Sequence, residues 1–456
     1  MKDKVVIIGA GISGLLTGFF LKEKGFNVTI LEKDAKAGGT MKSERINGFL
    51  VEKGPNSTLE TTPLFKDVFS KLGIADKMIY AGSASSKRYI LRGDKLREVP
   101  MSPLSFIITD LLSWCGKGRM LLEPFFGKAK TEETVARFVE RRLGSEFLNY
   151  AINPFVAGVY AGDPASLSVR AAFPKLFALE AEYGSIFIGT LKGARKRKKR
   201  KIISKVSSKM FSFTGGMGTL PDTISKYLDG SILFNAGAES ILSNDGKYTV
   251  IFSRNGKKEK IDSDILILSA PAFRTAKIIS SVSSEISNVL MQIYYPPLSE
   301  IVFGFRNENI HFPMDGFGFL VPEIENKNIL GAIWNTSIYP DRAPEGFSSF
   351  TLFMGGARNP GIFIMSDDEQ LSVAFNDIKD IMKIKGNPEF SYITRWEKSI
   401  PQYNIGHLKI IEHLREFEKQ YHSLYFCANY IGGISVADCL ISADELANRI
   451  SEEHKV

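Results

Sequence analysis

The chain has 456 residues, of which 44% are hydrophobic and 24% are charged, the composition of a globular protein long enough for two or three domains. No run of 18 uncharged apolar residues occurs, so we expect no transmembrane helix, and a strand-like run close to the first residue leaves no room for a leader. The formal net charge is +8, and the three cysteines (Cys115, Cys427 and Cys439) show neither metal-ligand spacing nor a disulfide framework, so we expect a reducing, cytoplasmic location and no metal.

The first predicted elements form a β–α–β unit around a glycine-rich turn. The stretch "KVVIIGAGISG" (residues 4–14) begins with β-branched apolar residues, which predict a buried parallel strand, and continues with G-x-G-x-x-G at Gly9, Gly11 and Gly14. A helix is predicted over residues 12–24. We expect Gly9 to allow the tight turn, Gly11 to let the backbone approach a pyrophosphate, and Gly14 to let the helix pack on the strand.

The second strand of this unit, "NVTILE", ends at Glu32. A carboxylate at this position accepts hydrogen bonds from a ribose 2′-hydroxyl and repels a 2′-phosphate, so NADP is disfavoured. A second glycine pair, Gly38 and Gly39, follows in "KDAKAGGTMKS", and "GFLVEKGPNST" comes after it. A second glycine turn so soon after the acidic residue is typical of flavoenzymes that hold FAD in an extended form. The combination predicts FAD.

Helical periodicity dominates residues 99–203, where apolar clusters such as "SFIITDLLSWC" and "MLLEPFFGK" predict a helical domain. We interpret these clusters mainly as core, with membrane contact as the alternative. The run "RKRKKRK" at residues 195–201 supplies seven positive charges. We interpret it as a solvated loop, with attraction to an anionic membrane as the alternative, and expect no nucleic-acid partner because no aromatic residues or groove-reading motifs accompany it.

Strand-like runs return from about residue 210, with "YTVIFSR", "DILILSA", "EIVFGF" and "SFTLFMGG". Near the end, "NYIGGISVADC" predicts a turn at Gly432 and Gly433 and a helix that begins near Ser435. The N-terminus of that helix is expected to face the flavin pyrimidine ring and to stabilise the anion that forms on reduction. The predicted division is an FAD-binding domain of residues 1–82, 204–275 and 421–456, a substrate domain of 83–98 and 276–420, and a helical domain of 99–203.

Longer stretches resemble one known family. They are "GPNSTLET", "INPFVAGVYAGDPASLSVRAAFPKL" (residues 152–176), "FTGGMGTLPDTI", "FMGGARNP" and "NYIGGISVADC". Together they make the chain similar, over nearly its whole length, to the protoporphyrinogen oxidases of the flavin amine oxidase superfamily. Residues 152–176 are the most specific, because amine oxidases and carotene desaturases share the glycines but not this text. The resemblance implies an α/β fold: a discontinuous Rossmann-like FAD-binding domain, a mixed α+β substrate domain and a helical, membrane-associated domain.

The resemblance also implies which residues form the site. FAD contacts are expected at Gly9, Ala10, Gly11, Ile12, Ser13, Gly14, Glu32, Gly38, Gly39, Thr40, Gly54, Pro55, Asn56, Ser57, Ala238, Asn429, Ile434, Ser435 and Val436. For the substrate, Arg88 matches an arginine that pairs with a propionate, Leu320, Ile333 and Phe353 match residues that sandwich a tetrapyrrole, and Gly158 lies where the backbone approaches the substrate. Taken alone, the three apolar residues are more typical of a core, and Arg88 is more typical of a surface charge.

The activity implied is oxidation of protoporphyrinogen IX to protoporphyrin IX in porphyrin biosynthesis, by three rounds of hydride transfer to FAD with dioxygen as acceptor and hydrogen peroxide as product. No general base stands out, and the five histidines are expected mostly at the surface. Alternatives are coproporphyrinogen III oxidation, another amine oxidase or desaturase, and a flavin-bound porphyrin carrier. Expected partners are the porphyrinogen, dioxygen, a ferrochelatase that takes the product, a peripheral contact with the inner face of the cell membrane, and a second copy in a homodimer.

Overall fold

A computed structural model describes residues 3–200, 208–244 and 246–454 of the chain. The strands are β1 (Lys4–Ile8), β2 (Asn27–Leu31), β3 (Ser43–Ile46), β4 (Phe49–Glu52), β5 (Thr58–Leu59), β6 (Met78–Tyr80), β7 (Tyr89–Arg92), β8 (Lys95–Glu98), β9 (Met210–Phe213), β10 (Ile232–Leu233), β11 (Ala236–Asn244), β12 (Lys247–Arg254), β13 (Lys257–Ser263), β14 (Ile265–Leu268), β15 (Leu298–Arg306), β16 (Gly318–Leu320), β17 (Ile329–Trp334), β18 (Phe347–Gly355), β19 (Phe390–Trp396) and β20 (Leu424–Phe426).

The α-helices are α1 (Ile12–Glu23), α2 (Leu64–Leu72), α3 (Pro103–Ile108), α4 (Trp114–Leu121), α5 (Val135–Leu143), α6 (Ser145–Phe147), α7 (Asn153–Tyr160), α8 (Val169–Ala172), α9 (Pro174–Tyr183), α10 (Ile186–Arg200), α11 (Thr219–Tyr227), α12 (Ala272–Ile279), α13 (Ser284–Met291), α14 (Asn335–Ile338), α15 (Asp367–Met382), α16 (His407–Gln420) and α17 (Val436–Glu453). Short 3-10 turns and one π-helical turn (Leu148–Ile152) join some of them.

A five-stranded parallel sheet, in the order β10-β2-β1-β14-β20, forms the centre of the nucleotide-binding part. Its strands come from the start, middle and end of the chain, which confirms the discontinuous α/β fold. Strands β1 and β14 are apolar on both faces, because helices α1, α11 and α17 pack on one side and helices α12, α13 and α16 on the other. This arrangement brings the carboxyl ends of the strands, and the turns that follow them, to one edge.

A seven-stranded mixed sheet, in the order β19-β15-β18-β17-β16-β7-β8, forms the second layer. Alternate residues of its strands, including Phe303, Trp334 and Phe350, pack against α15 on one face. The opposite face carries the other alternate residues and looks toward α7. Since side chains alternate strictly along a strand, the residues available to a ligand on this second face are fixed by the register of the core residues.

The helical part of the chain has its own small core around Phe138, Val139, Tyr160 and Leu167. Helix α10 continues through the basic run as far as Arg200, so the interpretation of residues 195–200 as a loop is wrong, while Lys201 lies outside the described residues. Lysine and arginine have good helix propensity, so a basic run that follows an apolar helix start can continue the helix. Within the described ranges, no helix has the length and apolar content needed to span a bilayer.

The apolar clusters of the helical part are not all core. Leu111 and Leu112 are buried, as predicted. Large apolar side chains nearby are instead exposed: Met101, Leu104, Ile107, Ile108, Trp114, Leu121, Leu122 and Phe125. These eight residues of segment 101–125 are called the apolar face below. Lys117 of α4 connects α4 to the end of α3, because its Nζ donates to the carbonyls of Ile107 and Thr109 at 2.7 and 2.6 Å.

Candidate flavin and substrate site

The first glycine turn has the geometry of a phosphate cradle. Gly9 has a φ of +106°, and a Cβ on Gly14 would overlap the Gly9 carbonyl oxygen, so the helix packs directly on the strand. A Cβ on Gly11, in contrast, would meet no heavy atom within 4 Å. Gly11 is also the N-cap of α1, without a side-chain cap and without an acidic residue in the first turn. The N–H groups of Ile12 and Ser13 therefore begin a helix whose positive end is free to bind an anion.

Glu32 lies where β2 ends, and it is 6% exposed. Its carboxylate accepts hydrogen bonds from the N–H of Ala10 at 2.8 Å and from the N–H of Asp34 at 2.9 Å. Ala238 lies close by on β11, because the N–H of Ala236 donates to the Glu32 carbonyl at 2.7 Å. The structure thus brings Glu32, the first glycine turn and the segment of β11 that contains Ala238 to the same edge of the parallel sheet.

The second glycine turn lies against the first. Gly11 and Gly38 form a parallel bridge, the N–H of Gly38 donates to the Ala10 carbonyl at 2.8 Å, and a Cβ on Gly39 would come within 3.3 Å of the Gly11 Cα. The loop of residues 54–57, with Pro55, Asn56 and Ser57, follows β4. A Cβ on Gly54 would overlap the Thr40 carbonyl oxygen. Three glycine-containing segments of the first part of the chain therefore pack against one another, and the space beside Gly11 is open.

The predicted carboxyl-terminal FAD contacts lie in the loop between β20 and α17 and at the start of α17. The Asn429 carbonyl accepts a hydrogen bond from the Tyr403 hydroxyl at 2.6 Å, and Ile434 packs on the helical core. Ser435 is the N-cap of α17, as predicted, so Val436 is the first helical residue. The Ser435 hydroxyl accepts from the Asp438 N–H and the Asp438 carboxylate accepts from the Ser435 N–H, which is a complete capping box; the hydroxyl also donates to the same carboxylate at 2.6 Å. This puts a carboxylate beside the predicted flavin contacts.

Leu320, Ile333 and Phe353 lie on one face of the seven-stranded sheet, and we call them the apolar wall. Their neighbours in sequence, including Phe319, Trp334 and Leu352, pack in the core on the other face. Leu320 pairs with Gly331, Gly331 pairs with Phe353, and Ile333 pairs with Gly318, so the wall spans adjacent strands. A Cβ on Gly158 of α7 would come within 2.6 Å of a Leu320 methyl group, which places that glycine directly opposite the wall.

Arg88 immediately precedes β7, which pairs with β16 of the wall. It is exposed, its guanidinium lies 5.6 Å from the centre of the Phe317 ring, and among the described residues no carboxylate forms an ion pair with it. The neighbouring Lys87, in contrast, contacts Asp315 at 2.6 Å. The protein groups around the guanidinium displace part of its hydration, which lowers the pKa of Arg88, but the group stays cationic. Arg88 is therefore a free positive charge at the edge of the apolar wall.

A polar network that the sequence did not predict lies beside the wall. Glu300 is the register partner of Phe353 and shares its face. The Glu300 carboxyl accepts from the Asn56 amide at 3.2 Å, the Thr351 hydroxyl donates to the Asn56 amide oxygen at 3.4 Å, and the Asn335 amide donates to the Thr351 hydroxyl at 2.9 Å. No motif marks Glu300, since it and Asn56 are 244 residues apart in sequence.

A model of the flavin containing amine oxidoreductase family matches residues 12–451. The chain belongs to this family. It is 31% identical to protoporphyrinogen oxidase 2, chloroplastic/mitochondrial, of Arabidopsis thaliana, over 98% of this chain and 93% of that protein. It is 27% identical to coproporphyrinogen III oxidase of Bacillus subtilis (strain 168), over 96% of both. A solved structure of reduced UDP-galactopyranose mutase covers 99% of this chain and 94% of its own with a TM-score of 0.76 at 18% identity, which shows the shared fold.

As a member of this family of flavin-dependent oxidoreductases, the chain is an enzyme, and its cofactor is FAD. The residues present fit that group. The open space at Gly11 and the uncapped N-terminus of α1 are suited to a pyrophosphate. The carboxylate of Glu32 is suited to a ribose. No group of three or more potential metal ligands occurs within the described ranges.

Two buried carboxyls dominate the electrostatics next to the predicted flavin loop. Burial raises the pKa of Glu300 well above its usual range, and the charge of Glu52 acts in the same direction. Burial also raises the pKa of Glu52 to about 7, although hydrogen bonds from Ser43 and from the Met217 N–H, and the charge of Arg342, lower it. Such perturbed acids often mark functional sites in enzymes.

His407 is an exception to the expected surface histidines. It is buried, and its ring stacks on the ring of Tyr403 with 4.1 Å between centres. Burial lowers its pKa to about 4, so the imidazole is neutral at physiological pH. Because Tyr403 donates to Asn429, this pair supports the carboxyl-terminal loop.

Proposed function

We propose that the chain oxidises protoporphyrinogen IX to protoporphyrin IX and that dioxygen reoxidises the flavin, giving hydrogen peroxide. The observation that carries the proposal is the single face shared by Leu320, Ile333 and Phe353, with Gly158 opposite and Arg88 at the edge. A porphyrinogen is a large, mostly apolar macrocycle with carboxylates at one edge, and this surface complements both properties. The names of the plant relatives support the same substrate.

Each residue of the site has a physical role in this proposal. FAD, when bound, supplies a two-electron acceptor. The apolar wall holds the macrocycle and excludes water, and Arg88 pairs with a propionate and so sets its orientation. Gly158, where a side chain would collide with Leu320, lets the backbone of α7 approach the wall. No histidine or carboxylate is assigned as a general base. The rate enhancement therefore depends on positioning the macrocycle against the flavin.

Coproporphyrinogen III is the second candidate substrate, and one observation favours it. It carries four propionates, so its oxidation calls for cationic groups at more than one edge of the pocket. Arg358 follows the strand of Phe353, and its guanidinium donates to the Val321 carbonyl, next to Leu320, at 3.2 Å. It is a second cation near the wall, although it is largely buried and lies 3.9 Å from the Glu323 carboxylate. The Bacillus subtilis and Staphylococcus aureus relatives are named for this substrate.

An aerobic porphyrin-fluorescence assay on the purified yellow protein separates the candidates, with both porphyrinogens tested in parallel and hydrogen peroxide measured. The proposal expects faster turnover of protoporphyrinogen IX. Faster turnover of coproporphyrinogen III would keep the fold, the cofactor and the chemistry and change the substrate. Flavin-bound protein that binds porphyrinogen without turnover would support the carrier interpretation instead.

The proposal extends to where the enzyme works and how the chain is divided. The apolar face at segment 101–125 and the basic end of α10 both belong to the helical part, and we infer that this part makes a peripheral membrane contact. The boundaries at residues 82, 98, 203, 275 and 420 remain the proposed limits of the three domains. Product transfer to a ferrochelatase and a homodimer follow from the resemblance alone and stay predictions.

A further inference from the structure

Glu300 is a buried acid for which the proposed reaction has no role. It is 2% exposed, and within the described ranges it forms no ion pair with a lysine, arginine or histidine. Burying a carboxyl group without a cation costs free energy, whereas leucine at the same position on a sheet face would not. A reason other than packing is therefore needed for an acid at this position.

The contacts of Glu300 lead to the predicted flavin loop. Its carboxyl accepts from the Asn56 amide at 3.2 Å, and the same amide donates to the Gly54 carbonyl at 3.2 Å. The other end of the Asn56 side chain accepts from the Thr351 hydroxyl at 3.4 Å. Asn56 is thus held from both sides, by β15 and by β18. Both strands belong to the sheet that carries the apolar wall.

We propose that Glu300 is a positioning residue for the flavin: through its hydrogen bond to Asn56 it holds residues 54–57 in the conformation that contacts FAD, next to Phe353. The inference rests on the proposed function, because that function assigns residues 54–57 to the flavin and Phe353 to the substrate. Glu300 acts through Asn56, so replacing Glu300 should affect flavin binding and the geometry of hydride transfer.

A purely structural role and a positioning role predict different results for Glu300→Leu. If Glu300 only fills space, leucine removes a buried acid and the melting temperature of the protein stays level or rises. If Glu300 positions Asn56, the same variant binds FAD more weakly, because loop 54–57 loses one of its fixed contacts. Glu300→Gln keeps the size and the hydrogen-bond acceptor, so it should rescue FAD binding.

The test measures FAD release from the holoenzyme, as the gain in flavin fluorescence on serial dilution. We expect the FAD dissociation constant to rise about fivefold in Glu300→Leu, which corresponds to the loss of one hydrogen bond, and to change less than about twofold in Glu300→Gln. Asn56→Ala should weaken FAD binding to a similar degree. The double variant should bind FAD no more weakly than the weaker single variant, since both changes remove the same contact.

Asp377→Asn is the matched control. Asp377 is a buried acid of α15, the helix that packs on the other face of the same sheet, and one of its carboxylate oxygens accepts from the N–H groups of Asn328 and Ile329. It should change thermal stability without changing FAD release. The proposal is overturned if Glu300→Leu releases FAD as the wild type does, if Glu300→Gln is as weak as Glu300→Leu, or if the effects of the single variants add in the double variant.

A second measurement separates this inference from the proposed function. Anaerobic flavin reduction by protoporphyrinogen IX, followed by the loss of flavin absorbance, should be slower in Glu300→Leu than in the wild type even with all sites filled with FAD. If the wild type is not reduced by this substrate, the proposed function fails, while the FAD-release result for Glu300 still stands. If the wild type is reduced and the FAD-release differences are absent, the role of Glu300 fails alone.

Discussion

At the scale of single residues, Glu52 should make the stability of the protein depend on pH. Its pKa is about 7 in the folded protein and near 4.5 when unfolded, so the folded chain keeps a proton that the unfolded chain releases. The free energy of unfolding is highest below pH 4.5, where Glu52 is protonated in both states. It falls as the pH rises through 7, by on the order of 3 kcal/mol at most. Glu52→Gln should therefore melt at a higher temperature than the wild type at pH 8, with a much smaller difference at pH 4.5.

Differential scanning calorimetry of both proteins across this range measures the effect. The quantity to compare is the difference in melting temperature between variant and wild type at each pH. Other groups titrate in both proteins, so their effects cancel in this difference. A difference in melting temperature that is constant from pH 4.5 to pH 8 would show that Glu52 ionises normally.

Arg88 gives a residue-scale test of substrate recognition. Arg88→Ala should raise the KM for the porphyrinogen roughly fivefold with little change in kcat, because it removes an exposed, solvent-screened ion pair with a propionate. Lys87→Ala is the matched control, since it removes an adjacent positive charge that Asp315 already neutralises. Steady-state kinetics with protoporphyrinogen IX provide the measurement. Equal KM values for the two variants would contradict a specific role for Arg88.

At the scale of secondary-structure elements, the N-terminus of α17 should tune the flavin. Ser435→Ala removes the capping hydroxyl, at a cost of about 1 kcal/mol in stability, and leaves the Asp438 carboxylate with less compensation near the predicted flavin contacts. A less compensated negative charge disfavours anionic reduced flavin. We therefore expect a lower flavin midpoint potential, measured by equilibrium dye titration of the holoenzyme.

The chain offers a matched control for this change. Ser366 and Glu369 form the same capping box at the start of α15, away from the glycine turns. Ser366→Ala should lower the melting temperature by a similar amount and leave the flavin potential unchanged. If both variants shift the potential equally, or neither does, the field of α17 does not reach the flavin.

Elements with local signals could be predicted from the sequence, and contacts between distant segments could not. The strand, glycine turn and helix of residues 4–23, and the helix cap at Ser435, follow from apolar runs and backbone-specific residues a few positions apart. Glu300 has no such signal, because it lies close to its partner Asn56 only in the folded protein, where β15 is part of the seven-stranded sheet. The basic end of α10 is helical although its charge suggests a loop, because charge alone does not decide between helix and coil.

At the scale of the whole molecule, the apolar face and the basic run of the helical part predict a membrane contact with two separable components. The apolar face should insert into the lipid interface, and the basic run should add attraction to anionic headgroups. Ile108→Ser combined with Phe125→Ser should weaken co-sedimentation with both neutral and anionic vesicles. Deletion of residues 195–201 should weaken co-sedimentation only with anionic vesicles at low salt, because salt at high concentration already screens the attraction to the headgroups.

Ile364→Ser is the control for the apolar change, since Ile364 is 89% exposed but lies outside the helical part, between β18 and α15. It should sediment with vesicles as the wild type does. Wild-type protein that stays in solution with every vesicle would exclude the membrane contact and leave the apolar face to another partner. Loss of binding in the deletion alone would assign the contact to charge, and loss in the double serine variant alone would assign it to apolar insertion, because each substitution removes one component and leaves the other in place.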